Sequence, residues 1–215
     1  MDERRRDHES AAEIAGHVAQ LLSPTRRADI MAMPNLVRRY TVADLATMPD
    51  DGMRYELIGG ELIVSPAPSV HHQIVLRRLA NVLAAYLEPL GLADTLFDVA
   101  ADVSWDDENS VQPDLLVIRP EELSGTWTTV RNLRLAVEVI SPSSRRRDRL
   151  DKRRLYQEHR VETYWIVDLE AGLVEQWRPD DTRPEIISDS LRWRVDRDAP
   201  EVSIDVVRLF ADLPA

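Results

Sequence analysis

Residues 133–169 read LRLAVEVISPSSRRRDRLDKRRLYQEHRVETYWIVDL. The run 133–140 is apolar at most positions and rich in Leu and Val, so it predicts a buried-type strand. VETYWIVDL, 161–169, predicts a second. Between them a helix is expected from about Ser144 to His159, with Ser141 and Ser143 serving as turn and N-cap residues. A helix joining two apolar strands implies a right-handed crossover and a parallel pair. Two residues in this stretch stand out. Glu138 lies inside the first apolar run, where a carboxylate is costly to bury unless it is paired or metal-bound. Lys152 is the one lysine among 27 Lys and Arg residues. Arg stays protonated and presents a wide planar fork, whereas Lys is a compact point charge. Asp148 and Lys152 have the spacing of an exposed i, i+4 ion pair, acid first. The uniqueness of Lys152 favours a second reading, a compact cation kept for chemistry.

Working outward, MRYELIGGELIVSP (53–66) predicts a hairpin around Gly59-Gly60. A two-residue turn pairs Ile58 with Glu61 and puts Glu56, Ile58, Glu61 and Ile63 on one face. SVHHQIVLRRLANVLAAYLEPLG (69–91) predicts a long helix with an apolar stripe through Ile74, Leu79, Val82, Leu83 and Tyr86, ended by Gly91. DTLFDVAADVSW (94–105) predicts one or two strands and DDENSVQPD (106–114) a polar turn. DLLVI (114–118) predicts a buried-type strand, and LVEQWRPD (173–180) a strand antiparallel to the one at 161–169. TVADLATM (41–48) predicts a short helix capped by Thr41. The fold class that follows is α/β (α+β): a mixed sheet flanked by helices, in the order αβββαβ, preceded by a β-hairpin.

Composition bounds the rest. The chain has 215 residues, 44% of them apolar, and a formal net charge of −11. That charge argues against a whole-surface polyanion binder but leaves room for a local basic site. There is no cysteine, which excludes a disulfide framework, a thiolate metal site and a Cys nucleophile. No apolar run approaches the roughly 18 residues of a membrane helix. A soluble, cytoplasmic protein is expected, with no membrane partner. Residues 1–33 read as an N-terminal extension, flexible or a short helix, and 34–215 as a single domain.

Asp114 lies at the mouth of the strand 114–118. If this strand neighbours that of Glu138, two carboxylates approach each other. Such a pair binds Mg²⁺ well, since the ion prefers oxygen and keeps several waters. Mn²⁺ would serve in the same place. A nearby ammonium, Lys152, would orient a water or stabilise an oxyanion. Tyr156, one turn beyond Lys152, reads as core packing with its hydroxyl at the rim. Residues 145–160 carry eight basic and three acidic side chains, a local net charge of +5. A basic helix beside a carboxylate pair suits a phosphate backbone, so nucleic acid, chiefly DNA, is the expected partner.

The stretches YELIGGELIVSPAPSVHHQIV, QPDLLVI, AVEVISPSSRRRDRLDKRRLY and VETYWIVD, taken in order, resemble the Uma-type restriction-endonuclease family of the PD-(D/E)XK nuclease superfamily. The resemblance covers about residues 40–180. It implies a restriction-endonuclease-like core and a metal-dependent endonuclease, with Asp114 and Glu138 as metal ligands. Asp114 matches the Asp of the PD motif, and Glu138 the acidic residue of the (D/E)XK element. The lysine expected two residues later is absent, because that position is Ile140. The resemblance implies that the amine has moved to Lys152. It alone implies Glu61 and His72 as auxiliaries, with Glu56 behind Glu61 and His71 behind His72. A homodimer would suit cleavage of both strands of a duplex. The rival readings are a catalytically inactive nucleic-acid-binding or protein-interaction module on the same fold, and a carboxylate-pair hydrolase such as a glycosidase.

Overall fold

The computed structural model describes residues 38–98, 101–126, 129–140 and 148–214. The chain divides into two units, Met1–Arg38 and Arg39–Ala215, and every element named below belongs to the second. The expected N-terminal extension falls outside the described residues, as do Ser141, Ser143 and the first turn of the expected helix at Ser144. Among the described residues no helix is long and apolar enough to cross a membrane.

A short helix, α1 (Val42–Leu45), follows Thr41 as expected, and the crossover stretch forms as its pattern dictates. Strand β7 (Leu133–Ile140) is buried at all eight positions, and it pairs in parallel with β8 (Tyr164–Asp168), Glu138 opposite Ile166. The helix between them, α3, begins with a π turn, Asp148–Lys152, and continues as α-helix over Arg153–Glu158. Its six-stranded sheet has the order β10-β9-β8-β7-β6-β3, and all its other pairs are antiparallel. Here β3 is Leu96–Phe97, β6 Leu115–Ile118, β9 Leu173–Trp177 and β10 Glu185–Ile187.

The hairpin of β1 (Arg54–Ile58) and β2 (Glu61–Ser65) has the expected register, Ile58 opposite Glu61. Gly59 and Gly60 both have positive φ, 56° and 75°, as a tight primed turn requires. A Cβ on Gly60 would also meet Arg39 Nε at 3.0 Å. Gly60→Ala is therefore expected to lower stability by about 1–2 kcal/mol, measured by urea unfolding; an unchanged midpoint would mean that the turn relaxes at no cost.

The hairpin does not extend the main sheet. It joins β5 (Asn109–Val111) and β4 (Val103–Asp106) in a second sheet of order β2-β1-β5-β4. The stretch 106–114, expected as a polar turn, thus contains a strand. Its hydrophilic residues hid the pattern, because Ser104 and Ser110 are buried and satisfy each other through their hydroxyls at 2.8 Å. The β4–β5 hairpin is an insertion into the expected helix-strand-strand-strand-helix-strand order, between β3 and β6.

The long helix α2 (Val70–Leu87) packs Val75, Leu79, Leu83 and Leu87 on one face of the main sheet, against Leu115, Val117, Leu135 and Val137. Its buried stripe lies slightly off the expected one, with Val75 and Leu76 inside and Ile74 half-buried. On the opposite face Ala136, Ile140 and Ile166 meet Leu155 and Tyr156 of α3 and Val103 and Val111 of the second sheet. Glu138 alternates with Ala136 and Ile140, so it points to this second face. The chain closes with the ribbon of β11 (Ser190–Trp193) and β12 (Val202–Asp205), then helix α4 (Val206–Phe210).

Candidate active site

Where the two sheets, α2 and α3 meet, a cavity of about 450 Å³ is lined by Arg54, Glu56, His72, Asp114, Glu138, Asp148 and Lys152, together with an apolar wall. The polar groups arrive from several elements. Arg54 and Glu56 share a face of β1, two residues apart. His72 sits in the first turn of α2, where the N-cap Ser69 accepts a hydrogen bond from its backbone N–H. Asp114 precedes β6, and Glu138 comes from β7. Asp148 and Lys152 bracket the π turn of α3. Such turns put an extra residue into the helix and recur at functional sites.

Lys152 is nearly sealed, 3% exposed. Its Nζ lies 2.8 Å from Glu56 Oε1, 2.9 Å from Glu138 Oε1 and 3.9 Å from Asp148 Oδ1. The Asp148–Lys152 spacing is therefore not an exposed helix pair; it is the weakest contact of a buried three-carboxylate cradle. Burial works against the ammonium, but Glu138, Glu56 and Asp148 outweigh it and raise the pKa well above that of an ordinary lysine. Lys152 is thus a fixed cation and cannot serve as a base.

Glu138 is pushed the other way. Burial raises its carboxyl well above the usual range; Lys152 opposes this, while Asp114, Asp148 and Glu56 add to it. Its Oε1 also accepts the Tyr156 hydroxyl at 3.0 Å. Burial and the neighbouring Glu138 keep the Tyr156 phenol protonated and donating. Tyr156→Phe leaves the ring packing intact and deletes this donor. It is expected to lower stability by about 1–2 kcal/mol, read from urea unfolding; no change would mean that Lys152 alone satisfies that oxygen.

The Asp114 carboxylate is held by three donors. Its Oδ1 accepts from Arg54 Nη1 at 2.8 Å, and its Oδ2 meets His72 Nε2 at 2.9 Å and the Val139 amide at 2.8 Å. Its own amide donates to Val137 O. These bonds fix Asp114 beside the backbone of Glu138. Burial alone would raise its pKa, but the hydrogen bond and charge of His72, then Arg54, hold it at about 2.

The donor set suits a divalent ion. Among the described residues, four carboxylates (Glu56, Asp114, Glu138 and Asp148) line the recess with Arg54, His72 and Lys152, and water reaches it poorly. Among the described residues no three acidic or histidine side chains form a ready-made metal cage. A site of two carboxylates matches Mg²⁺, which retains several waters.

Of the residues singled out in the sequence, Asp114, Glu138, Lys152 and His72 line this one cavity. Glu61 does not line it. It is exposed beside the hairpin turn, while Glu56, deeper in β1, is buried and touches Lys152. Arg54 was not singled out, yet alternation along β1 puts it on the face of Glu56. His71 lies outside the cavity and meets Pro214 O at 2.6 Å. Much of the expected basic face of α3 is engaged within the chain: Arg149 with Asp168 and Glu175, Arg160 with Asp180. Arg145, Arg146 and Arg147 fall outside the described residues.

A model of the Uma2 family, described as "Putative restriction endonuclease", matches residues 42–207. The chain belongs to this family. A crystal structure described as that of "a putative nuclease belonging to DUF820 from Anabaena variabilis ATCC 29413" superposes with a TM-score of 0.64 at 20% sequence identity, over 80% of this chain and 97% of that one. At this identity the likeness shows the fold, a restriction-endonuclease-like α+β core. No curated protein matches the chain. In this Uma2-family chain Ile140, where the superfamily's lysine was expected, is packed in the core with Leu155 and Tyr156. Lys152 reaches Glu138 from the following helix instead.

Proposed function

We propose that the protein is a metal-dependent endonuclease that hydrolyses phosphodiester bonds of nucleic acid, DNA foremost. The observation that carries this reading is the meeting of Lys152 Nζ with Glu138 in the cavity that Asp114 also lines. Membership of the Uma2 family supports it.

In the proposed mechanism Asp114 and Glu138 would hold a divalent ion, Mg²⁺ or Mn²⁺. When bound, the ion would lower the pKa of a water and offset charge on the phosphate. Arg54 and the Val139 amide keep Asp114 ionised and oriented. Tyr156 and Lys152 both bind Oε1 of Glu138 and leave its other oxygen without a hydrogen bond among the described residues. Lys152, fixed as an ammonium, stabilises negative charge as water oxygen bonds to phosphorus and the bond to the ribose oxygen breaks. His72 donates through Nε2 to Asp114 and orients its carboxylate, while the proton lost by the attacking water passes to bulk water. The leaving oxygen departs with a proton delivered from water.

The deciding experiment is cleavage of supercoiled plasmid, single-stranded DNA and RNA by the wild type, with Mg²⁺, Mn²⁺ or chelator. Cleavage that requires the metal and disappears in Asp114→Asn and Lys152→Met is the expected result. Folded protein that binds nucleic acid and cuts none of these substrates would overturn the reading in favour of an inactive binding module on the same fold.

A further inference from the structure

The cavity has two unlike sides. Its floor is the charged cluster, and Glu56, Asp114, Glu138 and Lys152 are only 2–4% exposed. Among the described residues its other lining is mostly apolar: Val64 in β2, Pro66, Ala67 and Pro68 in the link to α2, and Leu169, with Ser65 and Ser69 among them. Val64 is 45% exposed. The two prolines stiffen the link and remove two backbone donors from the wall. It therefore offers contact area and few hydrogen bonds.

A duplex fits this arrangement poorly. Its phosphates lie on the outside of a wide rod, with the bases stacked inward. To bring one phosphate to a floor so little exposed, the rod must press its charged backbone against Val64 and the prolines. That contact would desolvate phosphate against hydrocarbon. Strong duplex binding also draws on many phosphate contacts, and among the described residues Arg149 and Arg160 of the α3 stretch are already in ion pairs. A single unpaired nucleotide fits better. A cavity of about 450 Å³ lies within the range that encloses a small ligand. Enzymes that act on unstacked nucleotides hold the base against apolar side chains.

Arg54 supplies the remaining element. Its Nη1 donates to Asp114 Oδ1 at 2.8 Å and to Gln112 O at 3.3 Å. Its Nε and Nη2 make no hydrogen bond among the described residues, and its side chain is 23% exposed at the cavity. This leaves an edge of the guanidinium for a phosphate oxygen.

We propose that the cavity takes one unpaired nucleotide, its base or sugar on the Val64–Pro68 wall and its phosphate at Arg54, so that cuts fall in single-stranded or locally opened segments. The assignment rests on the nuclease reading above. The test compares three labelled substrates with Mg²⁺: a single strand, the matching blunt duplex, and the same duplex with a central unpaired bubble. The wild type is expected to cut the single strand and the bubble at least about 10-fold faster than the duplex. Val64→Asp, an exposed position where the fold tolerates change, is expected to slow single-strand cleavage about 10-fold, the scale of losing one base contact, with the melting temperature unchanged. Duplex cut as fast as single strand, or a preference untouched by Val64→Asp, overturns the assignment and leaves the nuclease reading standing. A second readout is the fluorescence anisotropy of a labelled single strand and duplex with wild type in chelator. If nothing is cut, the nuclease reading fails, and this arm still decides the cavity. Single-strand binding weakened by both Val64→Asp and Arg54→Gln retains it; equal or absent binding removes it.

Discussion

Lys152→Met is expected to lose about 3–5 kcal/mol of stability, the cost of breaking a buried ion pair from one side. Methionine fills much of the volume, so a cavity is not the cause. The cause is charge. With Nζ gone, Glu56 and Glu138 lose a partner at 2.8 and 2.9 Å, in a recess that water reaches poorly. Glu138, raised by burial even with the lysine present, is the group expected to take up a proton. The double variant Lys152→Met/Glu138→Gln should therefore recover a large part of the loss, since the stranded charge is removed as well. Urea unfolding at neutral pH measures all three proteins. A double variant no more stable than Lys152→Met would mean that the lysine acts through packing. On the proposed mechanism neither variant should cleave nucleic acid, because both lack the charge assigned there to stabilising the reacting phosphate. Lys152→Arg should not restore activity: the guanidinium is too wide for a cradle that closes around one nitrogen. Full activity in that variant would show that any cation suffices.

The crossover was legible because two physical signals coincide there. Its apolar runs are long enough to demand burial on both faces, and the intervening stretch is long enough for a helix. The pairing of β7 with β8 and the hairpin register at Ile58 and Glu61 follow from such patterns. Legibility failed where polar residues are buried through mutual hydrogen bonds. Ser104 and Ser110 satisfy each other, so β5 read as turn. It failed again in choosing between Glu56 and Glu61. Both carboxylates lie on one face of the hairpin, and strand alternation cannot tell the end inserted under α3 from the end in solvent. That choice depends on the second sheet, which was not foreseen. The charge of residues 145–160 was countable, but its partners were not. Asp168, Glu175 and Asp180 sit on or beyond strands whose approach to α3 is a tertiary event. His72, in contrast, carried a local signal, since it extends the buried stripe of α2 by one turn from Val75 and Leu76.

Asp114→Asn is expected to lose about 2 kcal/mol of stability near neutral pH and to lower cleavage at least about 100-fold. The side chains are nearly the same size, so the effect isolates charge and donor pattern. Asp114 accepts from Arg54, from the Val139 amide and from the His72 ring. An amide offers one oxygen, and whichever way it turns its NH₂ meets another donor. The stability difference should also depend on pH in a defined sense. The carboxyl is held at about 2 in the folded protein, against an ordinary value of 3.8. Above about pH 4 both folded and unfolded chains carry the ionised form, and the full contribution is present. As pH falls, the unfolded chain takes up its proton first, and the contribution is lost as the pH passes through about 2. The gap between wild type and Asp114→Asn should thus be constant from neutral pH to about 4 and shrink below it. Urea unfolding at about pH 7, 4 and 2.5 reads this directly. A gap that stays constant at the lowest pH would mean that the aspartate is held by shape and hydrogen bonding alone. Undiminished cleavage by the folded variant would remove Asp114 from the proposed metal site and leave Glu138 to find a second ligand among Glu56 and Asp148, the carboxylates that share Lys152.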